Sequence, residues 1–201
     1  DLSLTMPELP EVETMVRGIR TVLERGLLIA MECCPCDCRP IQVMPSPLEI
    51  RERVLGCQIV AVRRRAKRIV IELDSGEGFV IEPRMTGLML ITDPPDQEHL
   101  RWRWQVRQRG RTRSVWFWDR RGLGTISLWS QSEMQVRLGS QYLGPDALEI
   151  SAEELCERLH ATSRPIKVAL LDQKLIAGIG NLYASEILHL ARIRPEQPAS
   201  A

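Results

Sequence analysis

No apolar run in this 201-residue chain approaches the roughly 18 residues that a membrane span requires. Its opening also lacks the charged, apolar and small-residue regions of a signal peptide. Neither sign of charge dominates: 27 Lys and Arg against 26 Asp and Glu leave a net +1, so bulk charge announces no nucleic-acid partner. A dinucleotide fingerprint is missing too. The GxGxxG pattern begun by Gly178 and Gly180 fails at Tyr183, and no predicted strand precedes it. Four of the six cysteines crowd into "CCPCDC" (Cys33, Cys34, Cys36, Cys38), but no downstream Cys/His partner set accompanies them. They are expected to be reduced surface thiols in a cytoplasmic protein, with no metal site. There are no internal repeats and no low-complexity tract.

What is present reads as two regions. From Glu11, apolar residues recur at Val12, Met15, Val16, Ile19, Val22 and Leu23, the stripe of an amphipathic helix. Pro10 suits its first position, and Glu11 and Glu13 suit the first turn, where the helix dipole favours negative charge. Residues 26–129 read as β-rich: "QIVAVRRRAKRIVIEL" alternates, "DSGEG" turns, and "SVWFWD" and "TISLW" flank "RRGLG". Short strands at this spacing fit a sandwich or a flattened barrel. After "LGPDAL" the pattern becomes helical. Ser151 and Glu154 form a capping box, Pro165 opens a helix through "IKVALLDQKLIA", and Asn181 caps "LYASEILHLARI". Arginines concentrate at Arg63–Arg68 and between Arg101 and Arg121, as solvated faces or as a phosphate-facing strip.

Two stretches can carry chemistry. "AGIGN" (Ala177–Asn181) is either a plain turn or a phosphate grip of backbone N–H groups at a helix start. "MPELPEVE" packs two prolines and three glutamates between Pro7 and Glu13. A chain beginning at Pro7 has a secondary amine that attacks an aldehyde-like carbon to give an iminium. With a pKa of roughly 8, about a tenth of an α-amine is free base at neutral pH. The adjacent Glu8 can then supply the proton that opens a sugar ring. With Thr5–Met6 attached, the Pro7 nitrogen is an inert amide. If Met6 is the initiator, its removal exposes the Pro7 amine.

"MPELPEVE", "RRRAKRIVIEL", "RMTG", "DRRGLG", "YLGPDAL", "RPIKVALLDQKLIAGIGNLYASE" and "ARIRPEQPAS" together resemble, in order, the blocks of the bacterial formamidopyrimidine-DNA glycosylases, relatives of endonuclease VIII. The resemblance covers Met6 to Ala201. It implies an α+β fold: a two-layered β-sandwich with flanking helices over 6–135, then a helix–two-turn–helix domain over 143–201. It implies that Pro7 attacks C1′ of a damaged nucleotide and that Glu8 protonates the ring oxygen, with Glu11 as a supporting acid and Lys67 on a phosphate beside the lesion. Met85, Arg121 and Leu123 would fill the gap left by a flipped base, and Lys167, Gly180 and Asn181 would hold phosphate. The partner implied is damaged double-stranded DNA, bound by a monomer at the nucleoid, with removal of oxidised purines followed by β- and δ-elimination.

The chain departs from the family pattern at several places. Leu123 stands where an aromatic wedge is frequent, Gly122 where a second basic residue is, Glu82 at a position commonly histidine, and Arg68 where an aromatic is usual. Glu82 would repel DNA unless paired, for example with Arg84. The family's C-terminal zinc finger lies beyond Ala201, so no zinc is expected in this chain. The opening at Asp1 suggests a fragment. Other readings are a non-catalytic DNA-binding relative, an inactive fragment, and a preference for pyrimidine lesions, which "PELPEV" disfavours.

Overall fold

A computed structural model describes residues 7–35, 37–92 and 94–201; Met6 as initiator and the thiol of Cys36 lie outside the described residues. The fold is α+β and divides into two compact units, one of residues up to 64 with 68–133, the other of 65–67 with 134–201.

The first unit is a two-layered sandwich. One sheet runs β1 (Leu27–Cys33), β7 (Leu100–Gln108), β8 (Arg111–Asp119), β6 (Gly87–Leu90). The other runs β2 (Gln42–Met44), β9 (Thr125–Ser130), β5 (Glu77–Glu82), β4 (Arg68–Leu73), β3 (Ile59–Arg65). Period-two patterning explains the layers. Trp102, Trp104 and Val106 of β7 turn inward with Val115 and Phe117 of β8, and meet Phe79, Ile81, Ile69 and Ile71 of the facing sheet. Phe79 and Trp104 pack edge to face, ring centroids 5.7 Å apart. Truncating one such fully buried aromatic to alanine typically costs about 3–5 kcal/mol, so this layer carries much of the unit's stability.

Helix α1 (Leu9–Leu23) buries Val12, Val16, Ile19, Val22 and Leu23 and packs on β6, β7, β8 and β4. It starts one residue earlier than its stripe suggests. Leu9 is the first helical residue and Glu8 is the N-cap, so Pro10 falls one position inside. A short helix inside the β-rich region, α2 (Pro47–Val54), was not expected; Ser46 caps it by accepting from the Glu49 N–H. Helix α3 (Gln131–Arg137) follows β9.

The second unit holds α4 (Ala152–His160), α5 (Ile166–Leu171) and α6 (Asn181–Ala191). Ile166, Ala169, Leu170, Ile176, Ile179, Ala184 and Leu188 form its core. Ser151 caps α4 as expected. Helix α5 is shorter than its apolar pattern predicts: it ends at Leu171, where Asp172 turns the chain and accepts from the Lys174 N–H (2.9 Å) and the Arg164 guanidinium (2.9 Å). The second expectation to fail is the Asn181 cap. Gly180 is the N-cap of α6 and Asn181 its first helical residue. Among the described residues, no helix is long and apolar enough to cross a membrane.

Candidate functional site

Glu8 is fully buried at the start of α1, beside a buried Pro7. A reciprocal capping box locks it: the Glu8 carboxylate accepts from the Glu11 N–H, and Glu11 Oε2 accepts from the Glu8 N–H at 3.0 Å. Charged residues are almost never fully buried without partners. One turn on, Glu13 holds Arg17 and the nearly buried Arg64, each at 2.8 Å. Burial opposes ionisation of Glu13, but the hydrogen bonds from Arg64 and Arg17 outweigh it and hold the carboxyl below its usual range. The acid is thus held by hydrogen bonds at the helix N-cap, directly after Pro7.

The "RMTG" and "DRRGLG" loops of the first unit meet at a buried carboxylate. Asp119, fully buried at the end of β8, accepts from Thr86 Oγ1 (2.5 Å), from the Arg121 N–H (3.3 Å) and, through its other oxygen, from the Gly124 N–H (2.8 Å). Thr86 Oγ1 in turn accepts from the Arg121 N–H at 3.0 Å. Arg101 Nε donates to the Asp119 carbonyl at 2.8 Å. Residues 84–86 of "RMTG" and 120–123 of "DRRGLG" are therefore held by one network. On that base Met85 and Leu123 are half-buried and Arg121 is exposed. Met85 sits in a turn, not on a core face. Neither Asp119 nor Thr86 was singled out from sequence; an Asp directly before a glycine loop is the local signal, because its oxygens satisfy N–H groups a few residues on.

Gly122 stands where the family often has a basic residue, and the backbone gives the reason. Its φ is +62°, and a Cβ there would lie 2.2 Å from the Arg39 carbonyl oxygen. Gly122→Ala is expected to cost about 1–3 kcal/mol, seen as a lowered midpoint in thermal unfolding.

Glu82 is paired, with more than the expected partner. Its two oxygens take Arg68 Nε at 2.7 Å and Arg84 at 2.6 Å. The two departures at 68 and 82 are one cross-strand pair, since β4 and β5 run antiparallel with Ile69 opposite Ile81. The arginine run is mostly committed to protein partners: Arg63 to Glu72, Arg64 to Glu13 and Arg68 to Glu82.

Within the second unit, Arg65 donates to the carbonyls of Leu138 (3.0 Å), Leu143 (3.3 Å) and Gly144 (3.1 Å), and Lys67 beside it is half-buried. Lys167 Nζ reaches Ser185 Oγ at 2.9 Å, and Ser185 Oγ donates to the Asn181 carbonyl at 2.8 Å, so Lys167 is tied to the first turn of α6. Gly178–Gly180 are buried and Asn181 is exposed. Gln173, also missed in the sequence, shapes this turn: its side-chain oxygen accepts from the Gly178 N–H (2.9 Å) and its amide donates to the Ile179 carbonyl (2.8 Å). Pro7, Glu8, Glu11, Met85, Arg121 and Leu123 thus belong to the first unit, and Lys67, Lys167, Gly180 and Asn181 to the second.

Residues 6–126 match the model of the formamidopyrimidine-DNA glycosylase N-terminal domain, and residues 143–201 match that of the formamidopyrimidine-DNA glycosylase H2TH domain. The chain is 35% identical over 196 residues to the formamidopyrimidine-DNA glycosylase of Zymomonas mobilis, spanning 96% of this chain and 70% of the relative. Against that of Chloroflexus aurantiacus it is 35% identical over 197 residues, spanning 97% and 69%. The structure of the Lactococcus lactis enzyme non-covalently bound to abasic-site DNA superposes with a TM-score of 0.80 at 26% identity, over 96% of this chain and 73% of that one. A mutant of that enzyme with tetrahydrofuran-containing DNA gives 0.81 at 27% identity.

Proposed function

This chain belongs to the formamidopyrimidine-DNA glycosylase family, and from that premise we propose that it excises oxidised purines from double-stranded DNA through the Pro7 amine and then cleaves the abasic strand. The observation that carries the proposal is the buried capping box holding Glu8 next to Pro7.

Excision begins with extrusion of the damaged nucleotide, which costs a few kcal/mol and least for lesions that already weaken pairing. Met85, Leu123 and Arg121 then fill the gap as apolar and cationic wedges, a role that their shared support on the Asp119 network favours. The Pro7 nitrogen attacks C1′, the bond from C1′ to the base breaks, and the base leaves with its electron pair and takes up the proton that the amine gives up. Glu8 gives a proton to the ring oxygen, the sugar opens, and an iminium joins Pro7 to C1′. That cation acidifies the C2′ proton; its loss expels the 3′ phosphate, and a second elimination expels the 5′ one. Lys67, Lys167, Asn181 and the Gly180 backbone hold phosphate, with the protein acting as a monomer.

The testing experiment is borohydride reduction of the iminium, with a chain started at Met6 and an 8-oxoguanine duplex. A covalent protein–DNA product supports the reading, and its absence on lesion and abasic duplexes alike refutes it. A second measurement tests the phosphate-facing electrostatics. Glu82→Gln releases Arg68 and Arg84 from their shared carboxylate. DNA affinity at low salt is then expected to rise, and the slope of log K against log salt to steepen by about 1–2, at roughly 0.9 per added phosphate contact. An unchanged slope would mean that neither arginine reaches the backbone.

A further inference from the structure

The cysteine-rich segment, which no step above uses, meets a partner set 60 residues away. Cys38 Sγ, a carboxylate oxygen of Glu98 and a ring nitrogen of His99 lie within 4.8 Å of one another. His99 Nε2 is 4.0 Å from Glu98 Oε1. The other ring nitrogen, Nδ1, is 2.9 Å from Asp96 Oδ1, an oxygen that also accepts from the His99 N–H (2.9 Å) and from Trp118 Nε1 (3.1 Å). The Trp118 ring stands against the imidazole at 5.7 Å between centroids. A carboxylate holding Nδ1–H fixes the tautomer that leaves Nε2 as the electron-pair donor, the arrangement usual behind a metal-bound histidine.

We propose that Cys38, Glu98 and His99 bind a zinc ion, with Asp96 orienting the imidazole. One thiolate, one imidazole and one carboxylate suit a borderline cation that takes four tetrahedral ligands, water completing the set. Bonds of about 2.0–2.3 Å place tetrahedral donor atoms roughly 3.3–3.7 Å apart, so the cluster closes by about one ångström. The exposed Glu98 side chain can supply that movement. Binding converts the Cys38 thiol, which donates to the Glu98 carbonyl at 3.6 Å, into a thiolate, and its proton leaves to solvent.

The ion would tie the segment after β1 to the one before β7. Both segments support the "DRRGLG" loop: the Arg39 carbonyl packs against Gly122, and the His99 carbonyl accepts from the Asp119 N–H at 3.0 Å. The site does not depend on the proposed DNA chemistry.

The test uses the full chain with Cys33, Cys34, Cys36 and Cys156 replaced by serine, and cobalt(II) as a coloured substitute for zinc. One equivalent is expected to give tetrahedral ligand-field bands and a thiolate-to-cobalt charge-transfer band, both displaced by zinc. Cys38→Ser should remove the charge-transfer band, and His99→Gln should weaken binding at least tenfold. Asp96→Asn should weaken it about 10–100-fold while the spectrum at saturation stays the same, the mark of a positioning residue. Zinc should also raise the melting midpoint of the parent but not of Cys38→Ser. The proposal fails if the four-serine protein binds no cobalt, or if its bands survive both Cys38→Ser and His99→Gln.

Discussion

Glu8→Gln, in a protein started at Met6, is expected to lose at least a hundredfold of its borohydride-trapped product on an 8-oxoguanine duplex while still trapping a pre-formed abasic site. A positioned proton donor contributes typically 10²–10⁴-fold, and glutamine has no proton of suitable acidity to give the ring oxygen. An abasic sugar is already open part of the time and needs only the amine. Fold loss can be separated from chemistry here because the glutamine oxygen still accepts from the Glu11 N–H. Losing a helix cap outright costs about 0.5–2 kcal/mol, so Glu8→Gln should melt close to the parent, whereas Glu8→Ala would confuse the two effects. The amine provides the matching control. With residues 1–6 attached, Pro7 is an amide and no product should form on either duplex; intact mass tells which species is in the tube. Equal trapping by the Glu8→Gln protein and the parent would remove Glu8 from the mechanism.

Local periodicity made α1 and the alternating strands legible, because their buried faces repeat within one element, and the Ser151 cap made α4 legible. The failures lie where a turn interrupts an apolar pattern or an element is too short to show one. The apolar run beyond Leu171 reads as continuing helix, yet Asp172, held by Lys174 and Arg164, turns the chain, and Leu175 and Ile176 serve the core from a turn. Helix α2 has a readable start in Ser46, Pro47 and Glu49, but eight residues inside a β-rich region present too short a stripe. In the candidate site, Pro7 and Glu8 stand out as chemistry in the chain itself. The locking of Glu8 does not, because it comes from Glu11 reaching back to the Glu8 N–H. Glu82 reads alone as an intrusive charge, and only the β4–β5 register turns it into the partner of Arg68. The pairing of Cys38 with Glu98 and His99 depends on two loops whose approach no periodic pattern encodes.

Asp119→Ala is expected to rank with the loss of a buried aromatic among the most damaging single changes in the first unit. The carboxylate is fully buried and is met by the Thr86 hydroxyl and the Arg121 and Gly124 N–H groups. Alanine strands the Thr86 hydroxyl and the Gly124 N–H away from water, at about 1–3 kcal/mol for each one left unpaired, while the Arg121 N–H keeps Thr86 Oγ1. The loops cannot simply close over the gap: a Cβ at Gly124 would already sit 2.6 Å from the Phe117 ring, and Gly122 rests on the Arg39 carbonyl. A loss of about 3–5 kcal/mol is a large share of the 5–15 kcal/mol by which such proteins are usually stable. At about 2–4 °C per kcal/mol, calorimetry should find a midpoint roughly 10 °C below the parent. Asp119→Asn, which keeps one acceptor, should fall between. The network also sets the registration of Met85, Leu123 and Arg121. The Asp119→Asn protein, held well below its midpoint, should therefore lose trapping on the lesion duplex more than on a pre-formed abasic site, because the amine is untouched while the groups that would hold the duplex open have shifted. A midpoint within about 2 °C of the parent for Asp119→Ala would mean that Asp119 does not join the two loops.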